Sequence, residues 1–182
     1  SCRLGSVVIP SGVNTIGMSA FGGCKVLKSL DVAADNEKFE SRGCNAVIER
    51  ESNTLVVGCL GTVIPESVTA IGQEAFINLD IKELNIPSSV KTIGENAFNS
   101  CHQLTEVVLP EGLETLSNTA FHSCSGLTLI ELPKSLKTLG GWAFQACVNL
   151  VNVVSNIEDP KGFENYVFGE DDEVYSRATL WR

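Results

Sequence analysis

Seven cysteines and two histidines are the side chains in this 182-residue chain with the most obvious chemical potential. Four of the cysteines, Cys24, Cys101, Cys124 and Cys147, occupy the same position of an internal repeat, and Leu79 fills that position in another copy. A position that accepts leucine is apolar, and a free cysteine packs like a small hydrophobic residue. We therefore expect these four cysteines to be reduced, buried thiols.

The remaining cysteines, Cys2, Cys44 and Cys59, lie outside this series. A disulfide between Cys44 and Cys59 stays open as an alternative, although seven cysteines cannot all pair. No two cysteines have the two- to four-residue spacing of a zinc-binding pair, so the sequence predicts no metal site. The acidic clusters Glu158–Asp159 and Glu170–Glu173 lack the ligand alternation of a calcium loop, which favours a solvated acidic segment over a calcium site.

The histidines, His102 and His122, fall at different positions of the repeat. Neither stands in a recognisable arrangement of nucleophile, base and acid. No glycine-rich phosphate-binding loop opens a helix after a strand. Because an active site needs converging catalytic groups, the sequence predicts a protein that is not an enzyme and needs no cofactor.

A repeat of about 23 residues, clearest from Leu104 to Gly126, positions these side chains. Each copy has a proline, apolar residues three and six positions later, and an Ala-Phe pair that ends eleven positions later. The proline and phenylalanine of the five copies are Pro10/Phe21, Pro65/Phe76, Pro87/Phe98, Pro110/Phe121 and Pro133/Phe144. Self-similarity at this period is typical of a leucine-rich solenoid, in which each repeat packs on its neighbours.

The 55-residue gap between Pro10 and Pro65 contains one more coil, which is nine residues longer than the others. Its extra length predicts a β-hairpin, because two β-branched runs, Asn45–Glu49 and Thr54–Gly58, flank the polar turn Arg50–Asn53. We therefore expect an irregular coil over residues 33–64.

The pattern L-x-x-V-x-I-P-x-x-V-x-x-I-G-x-x-A-F-x-x-C resembles the BspA-like leucine-rich repeat family, found in surface proteins of Bacteroidetes, spirochaetes and some protists. The irregular coil resembles a recurring insertion of that family, and Tyr175–Leu180 resembles the start of its C-terminal cap strand. The resemblance implies an α/β repeat solenoid: a curved right-handed coil with a parallel sheet on the concave face and short strands and helical turns on the convex face. We expect one domain over residues 1–182, with the cap starting in 156–182, cut from a longer protein.

Strand alternation predicts that Leu104, Val107 and Leu109 point inwards while Glu106 and Val108 point outwards. The repeated phenylalanines are expected to stack in one continuous column. The glycine that follows the second apolar residue of most copies is expected to permit a backbone angle that other residues avoid.

The outward strand positions form a candidate binding surface, since a solenoid presents an extended concave face. Ordinary solvated strand residues are the competing interpretation, because this face has no aromatic or arginine anchor. The earlier coils contribute Ser6/Val8, Ser29/Asp31 and Gly61/Val63. The candidate ligand-binding residues are Glu83, Asn85, Glu106, Val108, Leu129, Glu131, Asn152 and Val154.

The net charge of −9 and the absence of a basic stripe argue against a nucleic-acid binder, and no apolar run is long enough to cross a membrane. The family resemblance favours an exported, cell-surface module that binds a host or matrix protein. A carbohydrate-binding module, using Trp142, Tyr166, Tyr175 and Trp181, and an inert structural spacer are the alternatives.

Overall fold

The computed structural model describes residues 2–157 and 166–168, and the backbone of strand 179–181. It shows a solenoid of successive coils built from short strands. The strands are β1 Ser6–Ile9, β2 Ser29–Val32, β3 Phe39–Glu40, β4 Val47–Glu49, β5 Thr54–Val57, β6 Ala70–Ile71, β7 Thr92–Ile93, β8 Glu106–Val108, β9 Thr115–Leu116, β10 Leu129–Leu132, β11 Thr138–Leu139, β12 Asn152–Ser155 and β13 Thr179–Trp181.

The predicted parallel ladder is present at both ends of the described solenoid but is interrupted between them. Strands β1 and β2 pair with each other, and β8, β10, β12 and β13 form a separate four-stranded sheet. The coils between them, at residues 61–64 and 82–86, are not strands. The expectation of one unbroken row of outward strand pairs is therefore wrong for Gly61/Val63 and Glu83/Asn85.

A third sheet, of seven strands, contains the strands of the irregular coil. The hairpin is confirmed, because β4 and β5 pair antiparallel on either side of residues 50–53. Strand β3 adds a third antiparallel strand that the sequence did not predict. On its other edge β5 pairs parallel with β6, and the ladder continues through β7, β9 and β11. The hairpin of the irregular coil is therefore part of the same sheet as β6, β7, β9 and β11.

The expectation of helical turns is wrong: the described residues contain no helix, and so none that could span a membrane. Two residues of each Ala-Phe turn have positive φ, such as Asn96 (54°) and Ser100 (60°), and a helix requires negative φ throughout. The turns instead hydrogen-bond to one another between coils. Phe98 N donates to Ala120 O at 2.8 Å, and Phe121 N donates to Ala143 O at 2.8 Å.

A column of stacked phenylalanines runs through the core. The rings of Phe76, Phe98, Phe121 and Phe144 are at most 1% exposed, and consecutive centroids lie 4.9–5.7 Å apart. The column extends to Phe168, 5.9 Å from Phe144, which the sequence did not predict.

Phe21 does not join this column, contrary to expectation, and is only half-buried. The phenylalanine of the irregular coil, Phe39, is buried in a separate core cluster, against which Phe21 packs. Gly58 lies next to Phe76 instead: its backbone N donates to Ala75 O at 2.8 Å, and a Cβ on Gly58 would lie 2.0 Å from the Phe76 ring. The column therefore begins at Phe76, with a glycine covering its first ring.

The expectation that Cys24 is a reduced thiol is wrong, because Cys24 forms a disulfide with Cys2. Cys2 lies 22 residues earlier, at the equivalent position of the preceding coil, and the two Cα atoms are 4.8 Å apart, within the range that a disulfide spans. Cys44 and Cys59 are free thiols, so the bridge left open between them is not formed.

The repeated glycines have a different role from the one expected. Gly94 and Gly140 are not among the residues with positive φ. A Cβ on Gly94 would lie 2.7 Å from Gln73 N, and one on Gly140 would lie 2.4 Å from Asn118 N. These positions exclude side chains because the preceding coil passes so close to them.

Candidate functional site

The later coils place the predicted binding residues on one side of the sheet β8–β10–β12. Cross-strand register aligns them in two rows: Glu106, Leu129 and Asn152 form one, and Val108, Glu131 and Val154 form the other. Each carboxylate of these strands therefore has an aliphatic neighbour on the adjacent strand. We call this surface, together with Glu83 and Asn85 of coil 82–86, the sheet face.

An open groove of about 520 Å³ lies where coil 82–86 meets β8. Four predicted residues, Glu83, Asn85, Glu106 and Val108, line it together with Lys82, Leu84 and Thr105. The groove lies at the break in the ladder, because residues 83–86 form no strand beside β8. Sequence reasoning missed this groove, although the repeat carries a signal for it: Pro65 and Pro87 are 22 residues apart, one fewer than the 23 that separate Pro87 from Pro110.

The sheet face is acidic and partly apolar. Glu83 and Glu106 are exposed, and neither has a side-chain hydrogen bond or ion pair within the described residues. Glu131 accepts a hydrogen bond from Asn156 Nδ2 at 2.8 Å. Val108 is 66% exposed beside them. The arrangement offers unpaired carboxylates around an apolar contact, which suits a partner surface carrying basic groups.

The earlier outward positions are engaged in local structure. Asp31 accepts hydrogen bonds from Ser41 Oγ and from Val32 N, and these bonds lower the pKa of its carboxyl group. Val8 and Val63 are exposed. Because strand pairing is lost between β2 and β8, these residues do not continue the face formed by β8, β10 and β12.

The repeated cysteines Cys101, Cys124 and Cys147, which we call the cysteine ladder, are buried in the core and do not form a reactive site. Burial raises the pKa of Cys101 to about 12 and also raises the pKa of Cys124 well above its ordinary value. Each thiol donates to the phenylalanine carbonyl of the preceding coil: Cys101 to Phe76 at 3.2 Å and Cys124 to Phe98 at 3.1 Å. A neutral, shielded thiol is a poor nucleophile and a poor metal ligand.

The structure brings the two histidines to one serine. His122 Nδ1 lies 2.9 Å from Ser123 Oγ, and His102 Nδ1 lies 2.9 Å from Ser123 O. Among the described residues, no carboxylate accepts a hydrogen bond from either imidazole. The same part of the chain contains no group of three or more histidine, cysteine, aspartate or glutamate side chains that could bind a metal ion. The backbone N of Ser123 is already bonded to Gln145 O. This contact lacks the orienting acid and the free N–H donors of a hydrolytic site.

Of the four aromatic residues considered for carbohydrate binding, the structure places Trp142 and Tyr166 side by side. Trp142 and Tyr166 fall at equivalent positions of neighbouring turns, where Trp142 N donates to Tyr166 O at 2.9 Å. A sequence signal for this pairing exists, because Tyr166-Val-Phe168 repeats Trp142-Ala-Phe144 at a spacing of 24 residues. Tyr175 and the acidic clusters lie outside the described residues, and only the backbone of Trp181 is described.

The profile of the family described as "BspA type Leucine rich repeat region" matches residues 1–47 and 60–173 in six copies. The pneumococcal vaccine antigen PcpA is similar in structure over 85% of this chain, with 24% identity and a TM-score of 0.74. A leucine-rich repeat protein of Eubacterium ventriosum matches over 83%, with 22% identity and a TM-score of 0.72. One from Bacteroides capillosus matches over 71% of this chain and 100% of its own length, with 26% identity and a TM-score of 0.52.

This chain spans 39% of the pneumococcal structure and 42% of the Eubacterium one. Identities at this level show the fold. Among curated proteins, none has a significantly similar sequence.

Proposed function

Because this chain belongs to the BspA-type leucine-rich repeat family, we propose that it is an adhesin-like module of a cell-surface protein. In this proposal it binds a host or matrix protein through the sheet face and performs no catalysis. The proposal extends to an extracellular location. Repeat solenoids present extended surfaces that suit protein partners, and the disulfide between Cys2 and Cys24 is of the kind that persists in oxidising compartments.

The observation that carries the proposal is the groove beside β8. Its carboxylates, Glu83 and Glu106, have no partner among the described residues, and Val108 beside them is largely exposed. An extended basic segment of a protein could place its charges on these carboxylates and an apolar side chain on Val108. Charge pairs of this kind accelerate encounter and select the partner more than they raise affinity.

The test is charge reversal on the sheet face. The variant Glu83→Lys/Glu106→Lys/Glu131→Lys should fold normally, since exposed substitutions of this kind cost little stability. We expect it to lose binding to whichever member of a panel of immobilised matrix proteins (collagen, laminin and fibronectin) the parent chain binds. Any residual binding should be insensitive to salt, because the screened charge pairs are gone.

A matched control separates local from overall charge. The variant Glu66→Lys/Glu95→Lys/Glu111→Lys also changes the net charge from −9 to −3, at exposed positions outside the sheet face. It should bind like the parent. Equal binding by the sheet-face variant and the parent would refute the assignment of this surface. If the parent binds no protein at all, the protein-binding proposal is refuted.

A further inference from the structure

The last two described turns carry exposed aromatic side chains that the sheet face does not use. Trp142 is 42% exposed and Tyr166 is 51% exposed. In the earlier copies the same position holds Ser19, Glu74, Asn96 and Thr119, so the aromatic character is confined to this end of the solenoid.

The two aromatic residues are held in register by the fold. Trp142 N donates to Tyr166 O at 2.9 Å, and two residues on, Phe144 N donates to Val167 O at 3.0 Å. Beneath them, the Phe144 and Phe168 rings stack with centroids 5.9 Å apart. Backbones that hydrogen-bond in this way lie about 5 Å apart. Trp142 and Tyr166 also share a left-handed backbone conformation, with φ of 55° and 72°.

The described surface beside this pair is formed by polar side chains of the two turns that precede Tyr166. The preceding turn contributes Asn118, which is exposed, and Thr119, which is half-buried. Asn118 Oδ1 accepts a hydrogen bond from Gly141 N at 3.1 Å, which places its side chain against the Trp142 turn. Gln145 lies on the same turn as Trp142 and is half-buried. From Asn118 to Ser123 and from Gly141 to Ala146, the sequence contains no Asp, Glu, Lys or Arg.

We propose that Trp142 and Tyr166 form a platform for a neutral carbohydrate chain. The apolar C–H faces of sugar rings pack on aromatic rings, and the spacing of the two coils is close to the length of one hexose unit. The amides and hydroxyls of Asn118, Thr119 and Gln145 supply hydrogen bonds to sugar hydroxyls. Apolar rings with a few polar groups are the usual composition of a small-ligand site. Residues 118–123 and 141–146, the described turns beside the pair, contain no Asp, Glu, Lys or Arg that could pair with sialylated or sulfated glycans or with charged peptides.

The test uses substitutions that preserve the turn. Asn96 adopts φ of 54° at the same position, so Trp142→Asn and Tyr166→Asn introduce a residue that this backbone accepts. The matched control is Glu74→Asn, at the same position three coils away. The parent and the variants would be screened on an array of neutral, sialylated and sulfated oligosaccharides. Titration with the neutral oligosaccharides that bind would follow, with unfolding temperatures as the check on folding.

We expect the parent to bind neutral oligosaccharides and to change its tryptophan fluorescence on binding. Each single variant should bind at least about tenfold more weakly, as truncated aromatic anchors do, and the double variant should lose binding. Glu74→Asn and the sheet-face variant should bind like the parent, which separates this site from the proposed protein-binding function. The inference is overturned if no neutral oligosaccharide binds at millimolar concentration, if only charged glycans bind, or if the folded double variant binds like the parent.

Discussion

Replacing Phe121 with alanine tests the phenylalanine column where it is most complete. The Phe121 ring is fully buried, with Phe98 4.9 Å away on one side and Phe144 5.7 Å away on the other, at interplanar angles of 6° and 9°. Truncating a buried phenylalanine costs about 3–5 kcal/mol of unfolding free energy. The same substitution also removes two ring pairs, each contributing about 0.5–1.5 kcal/mol beyond area burial. We therefore expect Phe121→Ala to fall near the upper end, at about 4–5 kcal/mol.

Two further variants are compared with Phe121→Ala in their loss of unfolding free energy. Phe121→Leu keeps most of the apolar volume but removes both ring pairs, so we expect it to cost about 1–3 kcal/mol. His122→Ala, one residue on, removes a half-buried imidazole and its contact with Ser123 Oγ, which should cost about 0.5–1.5 kcal/mol. We therefore expect the loss of unfolding free energy to be largest for Phe121→Ala, smaller for Phe121→Leu and smallest for His122→Ala.

Urea denaturation followed by circular dichroism measures these differences. A chain of this size shifts its unfolding temperature by about 2–4 °C per kcal/mol, so Phe121→Ala should lower it by roughly 8–20 °C. Hydrogen exchange on the same variant should show the loss spreading to both adjacent coils, because each repeat is stabilised by its neighbours. If Phe121→Ala and His122→Ala have the same denaturation midpoint, stacking in the phenylalanine column does not stabilise the fold.

Three further predictions concern the glycine that covers the first ring of the column, the reactivity of the buried thiols and the pH dependence of stability. Gly58→Ala should destabilise the protein by about 1–3 kcal/mol, because its Cβ would meet the buried Phe76 ring. By contrast, Gly12→Ala, with open space around it, should change stability by less than about 0.5 kcal/mol; equal thermal midpoints for the two would contradict this. The buried ladder thiols should react with iodoacetamide only after unfolding, and labelling of Cys101 in the native protein, read by mass spectrometry, would disprove their shielding. Because burial raises the pKa of Cys101 from 9.0 to about 12, it favours the neutral thiol, and this contribution to stability should be complete below pH 9 and lost between about pH 9 and 12. Unfolding measured across this range should show the loss, and a Cys101→Ala variant should lack that component.

Periodic, local features were readable from the sequence. The proline, Ala-Phe and cysteine positions recur at fixed spacing, and each needs only its own coil and the next to define its surroundings. The repeat, the burial of Leu104 and Val107, and the stacking from Phe76 to Phe144 were predictable for that reason. The hairpin was predictable because the polar turn and its flanking β-branched runs are adjacent in sequence.

The tertiary structure decided whatever depends on how closely two coils approach. The Cys2–Cys24 disulfide forms because the fold brings the Cα atoms of these two residues, 22 positions apart in the sequence, to within 4.8 Å. The turns are not helical because hydrogen bonds between coils replace those within a helix. The groove at Glu83 and Glu106 exists because one coil fails to pair with β8, and the sequence marks that coil only by a repeat one residue shorter than the next. Sequence spacing sets which residues are neighbours along the solenoid axis, whereas the separation between coils, and with it the binding surface, is set by packing of the whole coil.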